Sequence, residues 1–90
     1  MADKELIDKV WKLAKPVRGE DPNVVRQDPY GNPIRKSQFG GKGPQGWEID
    51  HIKPAAKGGS DSLRNLQALQ TEKNRDLGDS LRKRSRHNQK

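Results

Sequence analysis

Apolar residues recur along this chain with two different rhythms, and each rhythm predicts an element. From Asp3 to Lys15, Leu6, Ile7, Val10, Leu13 and Ala14 fall on one stripe with Trp11 at its edge, the spacing of an amphipathic helix over residues 3–15. Asp3 can cap its start, Glu5 suits the positive end of the helix dipole, and Pro16 stops the run. Val24 and Val25, the turn formers Asp28-Pro29-Tyr30-Gly31-Asn32-Pro33, and then Ile34 predict a short hairpin. Gly40, Gly41, Gly43 and Pro44 predict a mobile loop between Lys36 and Gln45. Trp47, Ile49 and Ile52 carry a strand-like pattern that Pro54 ends. After a turn at Gly58-Gly59-Ser60-Asp61, Leu63 to Leu69 reads as a second strand. Thr71 then caps a helix carrying Leu77 and Leu81, with Asn74 on the same inward face and Gly78 positioned to bend or end it.

Composition narrows the class. Ninety residues allow one domain, 1–90, and the 28% hydrophobic share predicts a small core. With no cysteine, neither disulfides nor a thiolate zinc site can reinforce it. No apolar stretch approaches the roughly 20 residues that span a bilayer, and the polar start Met-Ala-Asp-Lys-Glu-Leu does not resemble a signal peptide. The expectation is therefore an intracellular, cytoplasmic protein with no membrane role. A formal net charge of +7 points to a polyanionic partner, nucleic acid first. The basic tail over residues 80–90, with Arg82, Lys83, Arg84 and Arg86, is the natural place for phosphate contacts.

The candidate chemistry sits at the strand-turn-strand-helix segment. Asp50 and Asn74 offer oxygen ligands of the kind a hard cation takes, and Mg²⁺ commonly accepts only one or two protein ligands. A histidine can accept a proton from water near neutral pH, and His51 is placed beside Asp50. Taken singly, each residue has a plainer role: a hydrogen-bonded surface pair for Asp50-His51, a turn for Asn65, a cap for Asn74. In an ideal strand Asp50 and His51 point to opposite faces, so both can serve one phosphate only where the strand twists or ends. Glu48 shares the face of Asp50.

The joint pattern is more specific. Gly46-Trp47-Glu48-Ile49-Asp50-His51-Ile52-Lys53-Pro54, then Gly58-Gly59-Ser60-Asp61, Asn65-Leu66-Gln67 and Asn74-Arg75 resemble the HNH nucleases, in their cysteine-free branch. The resemblance covers roughly residues 46–79. It implies an α+β protein: a small ββα-metal domain, here with an N-terminal amphipathic helix, an upstream hairpin and a basic C-terminal tail. By the same resemblance His51 would be the general base and Asn65 the organiser of its loop. Asp50 and Asn74 would hold one divalent cation, Mg²⁺ first, with Mn²⁺ or another divalent ion as alternatives. Arg75 and Lys53 would contact phosphate. Leu77 stands where the family pattern would carry a lysine, which removes one DNA contact.

The resemblance therefore implies an endonuclease that hydrolyses phosphodiester bonds in DNA. Two rivals remain open at this level: a non-catalytic basic nucleic-acid-binding module, and an accessory subunit of a DNA-processing complex. In the latter, the N-terminal helix would dock a protein partner or a second copy of the chain.

Overall fold

The protein is described here by a computed structural model covering residues 3–78 and 83–88. Helix α1 spans Lys4–Leu13, and the Asp3 carboxylate accepts a hydrogen bond from Leu6 N at 2.9 Å to cap it. Its last carbonyls are closed from outside. The Arg26 guanidinium donates to Lys12 O (3.3 Å) and Ala14 O (2.9 Å), placing a cation at the negative end of the helix. Beyond the helix, Lys15–Pro16 form β1, a short strand that sequence reading took only as a helix stop. Because β1 is the edge strand of a three-stranded antiparallel sheet and pairs only with residues 26–27, the missing N–H of Pro16 breaks no interior ladder.

Strands β2 (Val25–Gln27) and β3 (Pro33–Arg35) form the expected hairpin, and Asp28 organises its turn. This carboxylate is fully buried and accepts from Tyr30 N (2.9 Å), Asn32 N (2.9 Å) and Asn32 Nδ2 (3.2 Å). It also accepts from Gln70 N at 3.1 Å, forty-two residues along the chain. One side chain therefore shapes the turn and joins the hairpin to the second half of the fold. Replacing Asp28 with alanine leaves part-buried donors without their shared acceptor, and the expected loss is about 1–3 kcal/mol, read as the shift of the urea midpoint. Retention of wild-type stability would show that water satisfies these donors instead.

The second half is a ββα unit. Strand β4 (Trp47–His51) pairs antiparallel with β5 (Leu66–Gln70), from Trp47 opposite Gln70 to His51 opposite Leu66. Helix α2 (Thr71–Leu77) follows β5 directly and packs back on β4. Two details differ from the sequence expectation. Leu63–Asn65 form a 3₁₀ turn rather than the start of the strand, because the Asn65 side chain holds the preceding loop. Thr71 is the first helical residue, and Gln70 occupies the capping position without a side-chain cap. As expected, the helix ends at Gly78, whose φ of 53° suits glycine; Leu81 lies outside the described residues.

Val10, Trp11, Ala14, Ile34, Trp47, Leu66 and Ala68 form one core, with Leu6, Ile7 and Ile49 packed against it. The indoles of Trp11 and Trp47 lie 5.3 Å apart, and Trp11 Nε1 donates to Pro22 O at 2.9 Å. This corrects the predicted stripe of α1. Trp11 is 1% exposed and central, whereas Leu13 is 37% exposed. The large indole draws the helix onto Trp47, turning Leu13 outward. The apolar face of α1 is thus covered largely by its own chain, against β5.

Candidate active site

Strand β4 ends at His51, which alternates with Asp50 in the ladder to β5 yet lines the same opening. Asp50 and His51, with Asn74 from α2 and Pro54, all border a cavity of about 300 Å³. His51 and Asn74 also border a neighbouring cavity of about 530 Å³ that is walled by Phe39, Glu48, Ile49 and Asp61. The histidine therefore stands between two open volumes, one third exposed, with its Nε2 2.7 Å from Asp61 Oδ1.

The loop after His51 is fastened by Asn65. Its Oδ1 accepts from Lys53 N (2.8 Å), and its Nδ2 donates to Lys53 O (3.1 Å) and Ser60 O (2.7 Å). Gly59 makes this possible: a Cβ there would collide with Lys53 O and crowd Asn65 Nδ2. Ile52 N also donates to Asn65 O at 2.8 Å, so the chain leaving β4 is tied on both sides.

Asn74 and Asp50 face the same cavity with different partners. The Asn74 amide nitrogen donates to Glu48 Oε1 at 3.1 Å, which orients the group. Arg75, exposed, lies 3.4 Å from Glu48 Oε2. Asp50 is buried; its Oδ2 accepts from Gln67 Nε2 (3.0 Å) and its Oδ1 from Lys83 Nζ (2.7 Å).

The expected phosphate contacts divide accordingly. Lys53 and Arg84 have exposed positions, and the Arg84 guanidinium lies 5.8 Å from the Tyr30 ring centre. Lys83 does not fit the predicted solvated tail, because its ammonium is buried against Asp50. Arg86 is spent similarly: its guanidinium donates to Leu66 O and Leu63 O, both at 2.9 Å. Partial burial lowers the Arg86 pKa from its ordinary value, and the group stays charged. Arg82 lies outside the described residues.

The family model for HNH endonuclease matches residues 31–79, just over half of the chain. The chain belongs to the HNH endonuclease family. No curated protein and no solved structure matches it. The matched span of this HNH chain begins at the β2–β3 turn, contains the whole ββα unit and ends just beyond Gly78. Membership implies nuclease-type chemistry and nucleic-acid binding. Among the described residues no helix is long and apolar enough to cross a membrane.

HNH nucleases typically use a divalent metal, and the donor chemistry here is compatible with one. A carboxylate and an amide oxygen suit a hard cation, and the buried Asp50 carboxylate already holds a positive charge, the ammonium of Lys83. Among the described residues no group of three or more His, Asp or Glu side chains gathers around one point. A cation here would rely on few protein ligands.

Sequence reading missed the partners in this HNH site. Gln67 is part of the motif, but its pairing with Asp50 depends on strand register. The sequence marks Asp61 only as a turn residue, whereas in the fold it reaches His51 across ten residues.

Proposed function

We propose that this protein is a metal-dependent endonuclease that hydrolyses phosphodiester bonds in DNA. The observation supporting this reading most directly is that Asp50, His51 and Asn74 border one cavity at the end of β4. Asp50 and Asn74 would hold the divalent cation, Mg²⁺ first. When bound, such a cation neutralises charge developing on the phosphate. His51 takes a proton from water, and the resulting hydroxide attacks phosphorus. The bond to the 3′ oxygen breaks and that oxygen takes a proton from solvent, leaving a 5′-phosphate and a 3′-hydroxyl. Asn65 fixes the loop that carries the ring, and Lys53, Arg75 and Arg84 offer charge to the backbone of the substrate.

Supercoiled plasmid incubated with and without Mg²⁺ or Mn²⁺ tests this reading, with His51→Ala as the control. Nicked or linear product that requires the metal and His51 is expected. The Lys83–Asp50 ion pair favours a second reading, a nucleic-acid-binding module without catalysis. Binding without cleavage under any divalent metal would favour that module.

Asp61 is proposed as a positioning residue for the His51 ring. Partners that orient a functional imidazole are worth about 10–100-fold, and Asp61, at 93% exposed, belongs at the low end. Asp61→Asn is expected to lower kcat about tenfold while KM changes little. An unchanged kcat would show that the ring is positioned without it.

A further inference from the structure

The outer face of the β4–β5 hairpin buries a charge. Asp50 lies in the strand with Gln67 directly opposite, and both are buried. A carboxylate withdrawn from water needs a compensating charge or strong donors. Lys83 supplies one: its Nζ is 2.7 Å from Asp50 Oδ1, with the two side chains 2% and 3% exposed, and it donates further to His51 O at 3.2 Å.

The ammonium is not held by charge alone. Gln67 Nε2 donates to Arg84 O (2.9 Å) and Gln67 Oε1 accepts from Arg86 N (2.8 Å), so one buried amide grips the backbone after Lys83. Arg84 N donates to Tyr30 Oη at 2.7 Å, and the Arg86 guanidinium holds the carbonyls of Leu63 and Leu66. The chain following Lys83 is therefore docked against β5 and the β2–β3 turn by hydrogen bonds of its own, delivering the lysine to Asp50.

We propose that Lys83 is an internal competitor for the divalent cation, and that it sets how tightly the site holds metal. The inference rests on reading Asp50 as a metal ligand. Both carboxylate oxygens of Asp50 are engaged, one by Gln67 and one by Lys83. The cavity through which Asp50 is reached is lined by Lys83 itself, together with His51 and Asn74. A metal ion approaching Asp50 from that cavity meets a carboxylate whose Oδ1 is already paired with the ammonium. Two cations sharing one buried carboxylate repel strongly at low effective dielectric. Binding of metal at Asp50 must therefore displace the ammonium. Lys83 acts through Asp50 and is a positioning residue, not a catalytic one.

The test is Mn²⁺ binding to the metal-free full chain by calorimetry, comparing wild type with Lys83→Met and Lys83→Arg. Methionine keeps much of the apolar stem and removes the charge. Lys83→Met is expected to bind Mn²⁺ at least about tenfold more tightly, about 1.4 kcal/mol, while Lys83→Arg stays near wild type. A purely structural role predicts the opposite sign, because a damaged site binds metal more weakly. Measurable and equal affinity in wild type and Lys83→Met overturns the competition and leaves the metal site standing. No Mn²⁺ binding by either protein overturns the metal-ligand reading of Asp50, and the competition with it. Should Lys83→Met fail to fold, the wild-type chain carries the test through acetylation of lysines, read by peptide mass spectrometry. Lys83 is expected to be protected without metal and to become reactive at saturating Mn²⁺, with Lys53 unchanged. Equal Lys83 labelling in both conditions overturns the proposal.

Discussion

Purified His51→Ala is expected to cleave DNA about 10²–10⁴-fold more slowly than wild type, the usual contribution of a general base. The effect should fall on the chemical step. His51 is the last residue of β4 and contributes nothing to the apolar core, so its truncation removes no core packing. The loop behind it is held by Asn65, whose bonds run to the Lys53 and Ser60 backbone and do not involve the ring. Thermal melting and DNA affinity should therefore remain near wild type while kcat collapses. Measuring single-turnover cleavage beside a binding isotherm separates the two. Full activity in the purified variant would remove His51 from the mechanism; loss of binding together with activity would mean that the ring acts as a substrate contact.

Trp47→Ala is expected to destabilise the fold by about 3–5 kcal/mol, the range for truncating a buried aromatic. The residue is fully buried, with the Trp11 ring centre 5.3 Å away on one side and Phe39 at 5.0 Å on another. It begins the strand that carries Asp50 and His51, and its Nε1 donates to Lys36 O at 3.4 Å. Small domains have total stabilities of only about 5–15 kcal/mol, so this one change can remove most of it. For a domain of this size the melting temperature should fall by more than about 12 °C. Leu13→Ala provides the contrast, since Leu13 is half-exposed on the outer side of α1 and should cost less than about 0.5 kcal/mol. A similar melting temperature for both variants would contradict the core as assigned.

Much of this molecule can be read from the order of its residues. Local chemistry dictates the cap at Asp3, the turn at Asp28–Pro33, the break at Gly78 and the strand that Pro54 closes, because each depends on neighbours a few residues away. Asp50, His51, Asn65 and Asn74 are legible as neighbours for a related reason: they lie on one strand, the loop tied behind it and the helix that packs back on it. Only the tertiary structure decides which partner each polar group finds. The bond from Asp28 to Gln70, the contact of Asp61 with His51 and the grip of Gln67 on the chain after Lys83 all join residues that sequence spacing does not relate. The rotation of α1 that buries Trp11 and exposes Leu13 likewise depends on the opposing Trp47, not on helical periodicity. Lys83 shows the difference most sharply. In the sequence it is one basic residue in a run of them, and charge patterning assigns it to solvent or phosphate. In the fold a buried carboxylate lies within reach, and removing that carboxylate from water makes the nearest ammonium its partner.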